Sequence, residues 1–332
     1  KIKILQNIVS SCMEYLMKIS VYAITLLLFP FGLFAAKDNS TRVEMVLKEI
    51  GKNIYYVEGV AGIATDNEGF ISNAGVVVTD DGVIIFDSLG TPVLAEKLRQ
   101  LIRVKTDKPV THVFVSHYHA DHFYGLQVFK DEGATIIAPS GANDYLDSPT
   151  AMERLEERRF SLDPWVNKNT RLVPPDSLIE QSQTFQFGNK ILNINYQGKA
   201  HSDGDLSMLV EPDKVLFSGD LIFEGRIPFV GDADTAQWLQ TLTRLETDGL
   251  SVLVPGHGPA SLAPQDSIRL TRRYLAYLRE IMIAGVDELL DFDEIYTSTD
   301  WSEFEILPAF KLGNRGNAYQ VFLSIEQELL DQ

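Results

Sequence analysis

The stretch VFVSHYHADHF, Val113 to Phe123, places three of the chain's six histidines and an aspartate within six positions, directly behind a run of Val and Phe. Imidazole titrates near neutral pH and is costly to bury without a partner, so such a cluster at the end of a buried strand needs something to bind its charges or lone pairs. A metal ion answers that need. His117 and His119 stand two apart, so in extended backbone both side chains leave on one side, as two ligands of one ion require. Asp121 and His122 follow where a helix is expected to begin, which turns them toward a neighbouring point. One short loop can therefore serve two ions.

The rest of the chain tests that idea. His201 in GKAHSDGD follows one strand pattern, His257 in VPGHGP follows another, and Asp220 in LFSGDLIF closes a third. Each is a strand-end residue ahead of a turn or helix, the place where α/β sheets hold their sites. Singly these residues have ordinary explanations: a helix cap for Asp121, a turn former for Asp220, a loop residue for His257, a satisfied core histidine for His201. Their order and common placement outweigh those readings. His112 has no such support and reads as a surface or strand-start histidine.

The hydrophobic pattern alternates strand and helix. IYYVEGV, AGVVVT and GVIIF, between Ile54 and Phe86, read as strands, with DDG supplying hairpin chemistry before the third. TPVLAEKLRQLIR reads as a helix with Thr91 as cap, Pro92 in its first turn and an apolar face of Val93, Leu94, Leu98, Leu101 and Ile102. HVFV and ATIIAP read as strands around a short helix over DHFYGLQVF. Residues 143–175 are more polar, helical around SPTAMERLEERRF, and read as an insertion or lid. Strands return at TFQFG, KILNINY, LSMLVEP and KVLFSGD, then helix TAQWLQTLTRL and strand SVLVPGHG, repeating the plan of the first half. From Pro264 onward the pattern is helical, with Leu270, Tyr274, Leu275 and Leu278 as a core-facing stripe.

Composition bounds the partners. Met17 and Lys18 precede ISVYAITLLLFPFGLFAA, an uncharged run of 18 residues ending in small side chains, the layout of a secretory signal peptide cleaved near Ala35 or Ala36. An uncleaved anchor is the alternative, since the run lies at the short end of what spans a bilayer; Pro30 and Gly32 favour cleavage. Residues 1–16 read as sequence upstream of a start at Met17. The expected organisation is this leader over 1–36 and a single domain over 37–332 with its core at about 54–260, periplasmic or secreted and without stable membrane insertion after cleavage. Cys12 is the only cysteine, so a chain beginning at Lys37 uses no disulfide, thiolate ligand or cysteine nucleophile. Residues 1–36 carry three lysines and one glutamate, which moves the formal charge from −17 for the whole chain to −19 for the remainder. That acidity disfavours nucleic acid and anionic lipid, which need basic patches, and leaves a small-molecule substrate as the expected partner.

The series HxHxDH, a later His, a later Asp in SGD and a last His in PGHG resembles the metallo-β-lactamase superfamily of hydrolases, and TDDGVIIFDS resembles that family's early hairpin ending in a buried aspartate, here Asp87. The resemblance runs from about Ile54 to Pro259 and implies an α/β fold, a four-layer αββα sandwich, followed here by a helical carboxyl-terminal extension. It implies that His117, His119 and His201 hold one metal, Asp121, His122 and His257 a second, that Asp220 bridges them, and that Asp87 supports a ligand from behind. Two zinc ions suit imidazole and carboxylate without thiolate, and iron and manganese accept the same ligands. In such a family a bridging hydroxide attacks an ester, thioester or amide-like carbonyl, with Asp121 orienting it.

The family's range narrows on this sequence. Phosphodiesterases of RNA or DNA fit poorly with the acidic charge, and glyoxalase II, similar in metal ligands, acts on a mainly cytosolic thioester. Class B β-lactamases are exported, but their usual sets carry a cysteine or a non-ligand where this chain has Asp220, so β-lactam hydrolysis is expected to be weak or promiscuous. AHSDGDLSMLVEPDKVLFSGDLIFEGRIPFVGDAD resembles most the exported zinc hydrolase-like proteins associated with quinoprotein relay and sulfur oxidation. The alternative activity is a mononuclear iron persulfide dioxygenase using His117, His201 and Asp220; a non-catalytic binding module ranks third. Tyr118, Lys199, Arg226, Asn314 and Arg315 are the polar groups near these segments whose part in substrate binding the sequence leaves open.

Overall fold

The computed structural model describes residues 41–330 apart from Asp232, Thr247 and Asp248. The leader expected over 1–36 lies outside the described residues. Among those described, no helix is long and apolar enough to cross a membrane.

The chain begins with strands β1 (Lys48–Gly51), β2 (Ile54–Val57), β3 (Ala74–Val78) and β4 (Val83–Phe86), an antiparallel meander. Helix α1 (Pro92–Lys105) then crosses over to β5 (Val110–Phe114), which pairs with β4 in parallel. Thr91 caps α1 by accepting a hydrogen bond from the Leu94 amide at 3.2 Å, the end expected from Thr-Pro. Helices α2 (Ala120–Phe123) and α3 (Leu126–Asp131) lead to β6 (Thr135–Pro139), and α4 (Ala142–Leu146) and α5 (Pro149–Ser161) lead to β7 (Ser177–Ile179), both parallel additions to the same sheet. DHFYGLQVF is thus two short helices rather than one. The break falls at Gly125, whose amide donates to Leu89 O at 3.1 Å and where a Cβ would lie 1.9 Å from Ser88 O.

The second sheet repeats the plan. Strands β8 (Gln183–Phe187), β9 (Lys190–Gly198), β10 (Asp205–Glu211) and β11 (Val215–Phe223) form an antiparallel meander, and α6 (Thr235–Leu245) crosses to β12 (Val252–His257), parallel to β11. Parallel neighbours need such a crossover because a tight turn cannot reverse the chain twice. Helices α7 (Pro264–Asp287), α8 (Phe292–Ser298) and α9 (Phe310–Leu330) complete the fold.

Three apolar clusters define four layers. Ile54, Val77, Ile84, Phe86 and Phe114 of the first sheet meet Leu192, Ile194, Met208, Phe217 and Val254 of the second. Outside the first sheet lie Leu94, Leu98, Phe129 and Leu155 of its helices; outside the second lie Trp238, Leu242, Tyr274, Leu275, Leu278 and Val321. The protein is an αββα sandwich with a helical carboxyl-terminal region. Strand β11 is buried along its whole length, so both its faces pack.

Phe217 on β11 is 1% exposed and its ring centroid lies 6.0 Å from that of Phe86 across the sheets. Phe217→Ala is expected to cost about 3–5 kcal/mol, the range for emptying a buried aromatic position, read as a drop in equilibrium denaturant stability. A loss under about 1 kcal/mol would mean that the sheets do not depend on this contact.

Candidate metal centre

The site forms where the two sheets present strand ends to each other. From the first sheet, the segment after β5 supplies His117 and His119, and the turn into α2 supplies Asp121 and His122. From the second, the β9–β10 turn supplies His201, β11 supplies Asp220 and β12 ends on His257. Strand β11 slips register against β12 between Phe217 and Gly219. Gly219 has φ +53°, and a Cβ there would lie 2.5 Å from the Ser116 Cβ. The irregularity thus needs glycine twice over, for its backbone angle and for the approach of the sheets. Gly256 leaves room for the Asp220 carboxylate: a Cβ there would sit 1.9 Å from Asp220 Oδ1.

The seven residues fall into two groups, His117, His119, His201 and Asp220 in one and Asp121, His122 and His257 in the other, with donor atoms inside each group within 4.8 Å of one another. Asp220 touches both. Its Oδ1 lies 3.1 Å from His122 Nε2, and its Oδ2 lies 3.3 Å from His257 Nε2, 3.4 Å from His201 Nε2 and 3.8 Å from His117 Nε2. Asp121 Oδ2 is 3.3 Å from His257 Nε2 and 3.5 Å from His122 Nε2. Ligand atoms held about 2.0–2.1 Å from a tetrahedral ion stand about 3.3 Å apart, which is the spacing seen. His117 Nε2 and His122 Nε2 are buried without a hydrogen-bond partner, a costly arrangement unless a cation takes the lone pairs. The residues fit a divalent metal.

Supporting contacts fix which ring nitrogen faces inward. Asp87, 2% exposed, accepts from the Ser116 amide at 2.7 Å through Oδ1, and through Oδ2 it contacts Ser116 Oγ at 2.8 Å and His122 Nδ1 at 2.9 Å. His117 Nδ1 lies 2.8 Å from Ser116 Oγ, and His257 Nδ1 lies 2.7 Å from Ile71 O. His117, His122 and His257 thus turn Nε2 to the centre, the usual way an outer partner sets a ligand's tautomer, whereas His119 presents Nδ1, 3.0 Å from His201 Nε2. Asp205 accepts from the Ser202 amide at 2.9 Å and from Ser202 Oγ at 3.0 Å, fixing the turn that carries His201. Burial pushes its carboxyl up to about 7.

The electrostatics divide the histidines. Burial presses His117 well down and His201 to about 3. It presses on His257 and His122 as well, but Asp220 and Asp121 outweigh it and raise His257 to about 9 and His122 well above the imidazole range. The same histidines keep Asp220 and Asp121 ionised against burial.

A cavity of about 690 Å³ opens over the centre, and Asp121, Asp220 and His257 are part of its wall. Tyr118, Phe223, Arg226 and Phe229 also line it. Arg226 is half-buried; burial lowers its pKa while Asp220 and Asp121 raise it, so it faces the carboxylates. Of the other polar groups left open, Lys199 pairs with Asp203 at 3.0 Å, and Arg315 pairs with Asp293 and stacks on Phe292 and Tyr296, both outside the cavity wall. Asn314 is buried in a structural network, accepting from Tyr274 Oη at 2.8 Å. His112 packs on Phe187, ring centroids 4.7 Å apart. Sequence reasoning missed Asn73, whose Nδ2 donates to Pro255 O and Gly258 O, each at 2.8 Å, and so ties the first sheet to the His257 loop. It also missed Arg154 and Arg158 of α5, which line the cavity. Residues 143–175 therefore do contribute a wall.

Asp87→Asn is expected to weaken metal binding about 10- to 100-fold, as loss of an outer partner does, measured by competition with a chromogenic chelator; unchanged affinity would remove Asp87 from this role. Binding must displace protons from His257 and His122, so affinity rises with pH and falls as pH drops, by about tenfold per unit for each proton displaced. A flat profile between about pH 8 and about pH 6 would contradict the proton assignment.

Residues 67–257 match the family model of the metallo-beta-lactamase superfamily. Metallo-beta-lactamase IND-1 of Chryseobacterium indologenes is 21% identical over 244 residues, 72% of this chain and 90% of that protein. Acyl-coenzyme A thioesterase MBLAC2 of Gallus gallus is 28% identical over 152 residues, 43% of this chain and 54% of that protein. Among solved structures, the stereoselective inverting sec-alkylsulfatase Pisa1 from Pseudomonas sp. shares the fold with a TM-score of 0.66, at 19% identity over 84% of this chain and 50% of that one. The family match spans more than half of the sequence and contains all seven converging side chains, and the chain belongs to the metallo-β-lactamase superfamily as a metal-dependent hydrolase.

Proposed function

We propose that the protein is an exported dinuclear zinc hydrolase that cleaves an ester, thioester or amide-like bond of a small molecule. The observation that carries this reading is the position of Asp220, whose two oxygens face His122 on one side and His201, His257 and His117 on the other. His117, His119 and His201 would hold one ion, Asp121, His122 and His257 the other, with Asp220 shared. Divalent ions held there supply Lewis acidity and make water a nucleophile near neutral pH. Iron and manganese suit the same donors, and zinc is favoured by the absence of any requirement for redox chemistry in hydrolysis.

Both carboxylates line the cavity, and Asp121 is the more open to it: its side chain is 21% exposed, against 4% for Asp220. It can hold the proton of the attacking water and orient its lone pair toward the substrate carbonyl. Phe223 and Phe229 give the wall apolar surface, which limits competing water around the reacting bond. Arg226 is placed to face negative charge developing on the substrate near Asp121 and Asp220.

Export is supported by the uncharged run that ends at Ala36 and by the acidity of the remainder. Similarity to named metallo-beta-lactamases supports trying β-lactams, and similarity to an acyl-coenzyme A thioesterase supports trying thioesters. The resemblance to quinoprotein-relay and sulfur-oxidation proteins supports a periplasmic role. The mononuclear iron dioxygenase uses only His117, His201 and Asp220, and leaves Asp121, His122 and His257 converging without a task.

The reading is tested by hydrolysis of nitrocefin, aryl esters and acyl thioesters before and after chelation. At least one substrate should be turned over, lose turnover with chelator and regain it with zinc. Asp121→Asn should lower kcat by about 10²–10⁴-fold, the range for losing a positioned acid–base group, while the site containing His117, His119 and His201 keeps its metal. Retention of most activity by that variant would remove Asp121 from the chemistry.

A further inference from the structure

Helix α5 turns one face to the cavity, and that face is cationic. Thr150, Arg154 and Arg158 all line it and follow one another at intervals of four residues, the spacing that stacks side chains on one side of a helix. Like charges at that spacing mildly oppose helix formation, a repulsion that an anion between or above the two guanidiniums relieves; Arg154 is exposed and Arg158 half-buried. Among the described residues, no carboxylate pairs with both. Arg154 has no ion pair among the described residues, and Arg158 has only its neighbour Glu157, at 3.4 Å.

Other arginines of this acidic chain are engaged. Arg159, next along α5, donates to Asn167 O at 3.1 Å and Thr170 O at 2.6 Å and holds the following loop. Arg99 pairs with Glu96 and Glu132, Arg279 with Glu328, and Arg269 with Glu246. With 46 acidic against 29 basic residues in the sequence, a cavity-wall guanidinium without an ion pair, Arg154, next to one paired only with its chain neighbour, Arg158, stands out. Of the other acids lining the cavity, Asp203 is paired with Lys199, while Asp121 and Asp220 sit among the histidines. Asp144, on α4, is exposed. Tyr145 lines the same wall, and both guanidiniums act on its phenol.

We propose that Arg154 and Arg158 form a distal subsite for a carboxylate, so that the bond cleaved at the metal centre belongs to a molecule with an anionic tail. This rests on the hydrolase reading above and adds the substrate's second recognition point. A carboxylate accepts bidentate hydrogen bonds from guanidinium, and such charge-assisted contacts away from the reacting bond position the substrate.

The test uses metal-loaded protein and S-phenyl thioesters of straight-chain dicarboxylic acids of increasing length, each with its far carboxylate free or capped as the methyl ester. At the length that spans the cavity, the free acid should be preferred by about tenfold in kcat/KM, expressed in KM, the size of one charge-assisted contact. Arg154→Gln with Arg158→Gln should abolish the preference and leave the capped substrates unchanged. The double Lys variant should keep part of it. A preference that is absent at every length, or that survives in the Gln variant, overturns the subsite. If no thioester is cleaved, the thioesterase branch of the hydrolase reading fails by itself, and calorimetry with the unesterified dicarboxylates decides the subsite. Binding tighter than that of monocarboxylates of equal length, in the native protein but not in the Gln variant, supports it; equal binding overturns it.

Discussion

Asp220 is a carboxylate set inside an apolar strand whose every residue is buried, and removing an ion from water costs several kcal/mol unless it is surrounded by compensating charge. His122 and His257, both held toward the charged form, supply that charge 3.1 and 3.3 Å from its oxygens, and the ring nitrogens of His201 and His117 stand at 3.4 and 3.8 Å. Two of the four come from the first sheet and two from the second, so the charge is satisfied only when the sheets are closed on each other. The register slip at Gly219 and the missing side chain of Gly256 are the local conditions that let this happen.

The histidines in turn need to be held. Asp87 does this for His122 directly and for His117 through Ser116, and it does so from a left-handed backbone angle of φ +66°. A non-glycine residue keeps such an angle only where its surroundings over-determine it, and three hydrogen bonds to one carboxylate meet that condition. Asn73 performs the matching task for the last ligand: its side chain grips the loop on both sides of His257 while its amide donates to Gly256 O at 2.8 Å. The donors are therefore in place through protein–protein contacts alone, which is how a metal site keeps its geometry.

Much of this could be read from the residues because the signals are local. The spacing of His117, His119, Asp121 and His122, the Thr91-Pro92 helix start and the long apolar runs of β3 to β6 all depend on neighbours in sequence, while the αββα arrangement came from the family resemblance. What escaped depends on distant ones. Strands β1 and β7, four and three residues long, exist through pairing rather than pattern, and the break at Gly125 is set by the backbone of Ser88 and Leu89. Asn73 reaches partners more than 180 positions away, which periodicity does not show. Arg154 and Arg158 looked like ordinary charges of a polar helix, and only the docking of α5 beside the site makes them a wall of the cavity. Arg315 and Asn314 erred the other way: near the last helix they looked available, but ring stacking with Phe292 and a hydrogen bond with Tyr274 engage them elsewhere.

The central claim, two metal ions sharing Asp220, is tested most directly by metal content per chain, measured by elemental mass spectrometry on protein from Lys37 to Gln332 purified without added metal or chelator. The arrangement predicts about two zinc ions per chain, since two sets of neutral imidazoles and carboxylates converge on one bridging side chain. About one iron with little zinc would contradict it and turn the chemistry of this centre from hydrolysis to oxidation.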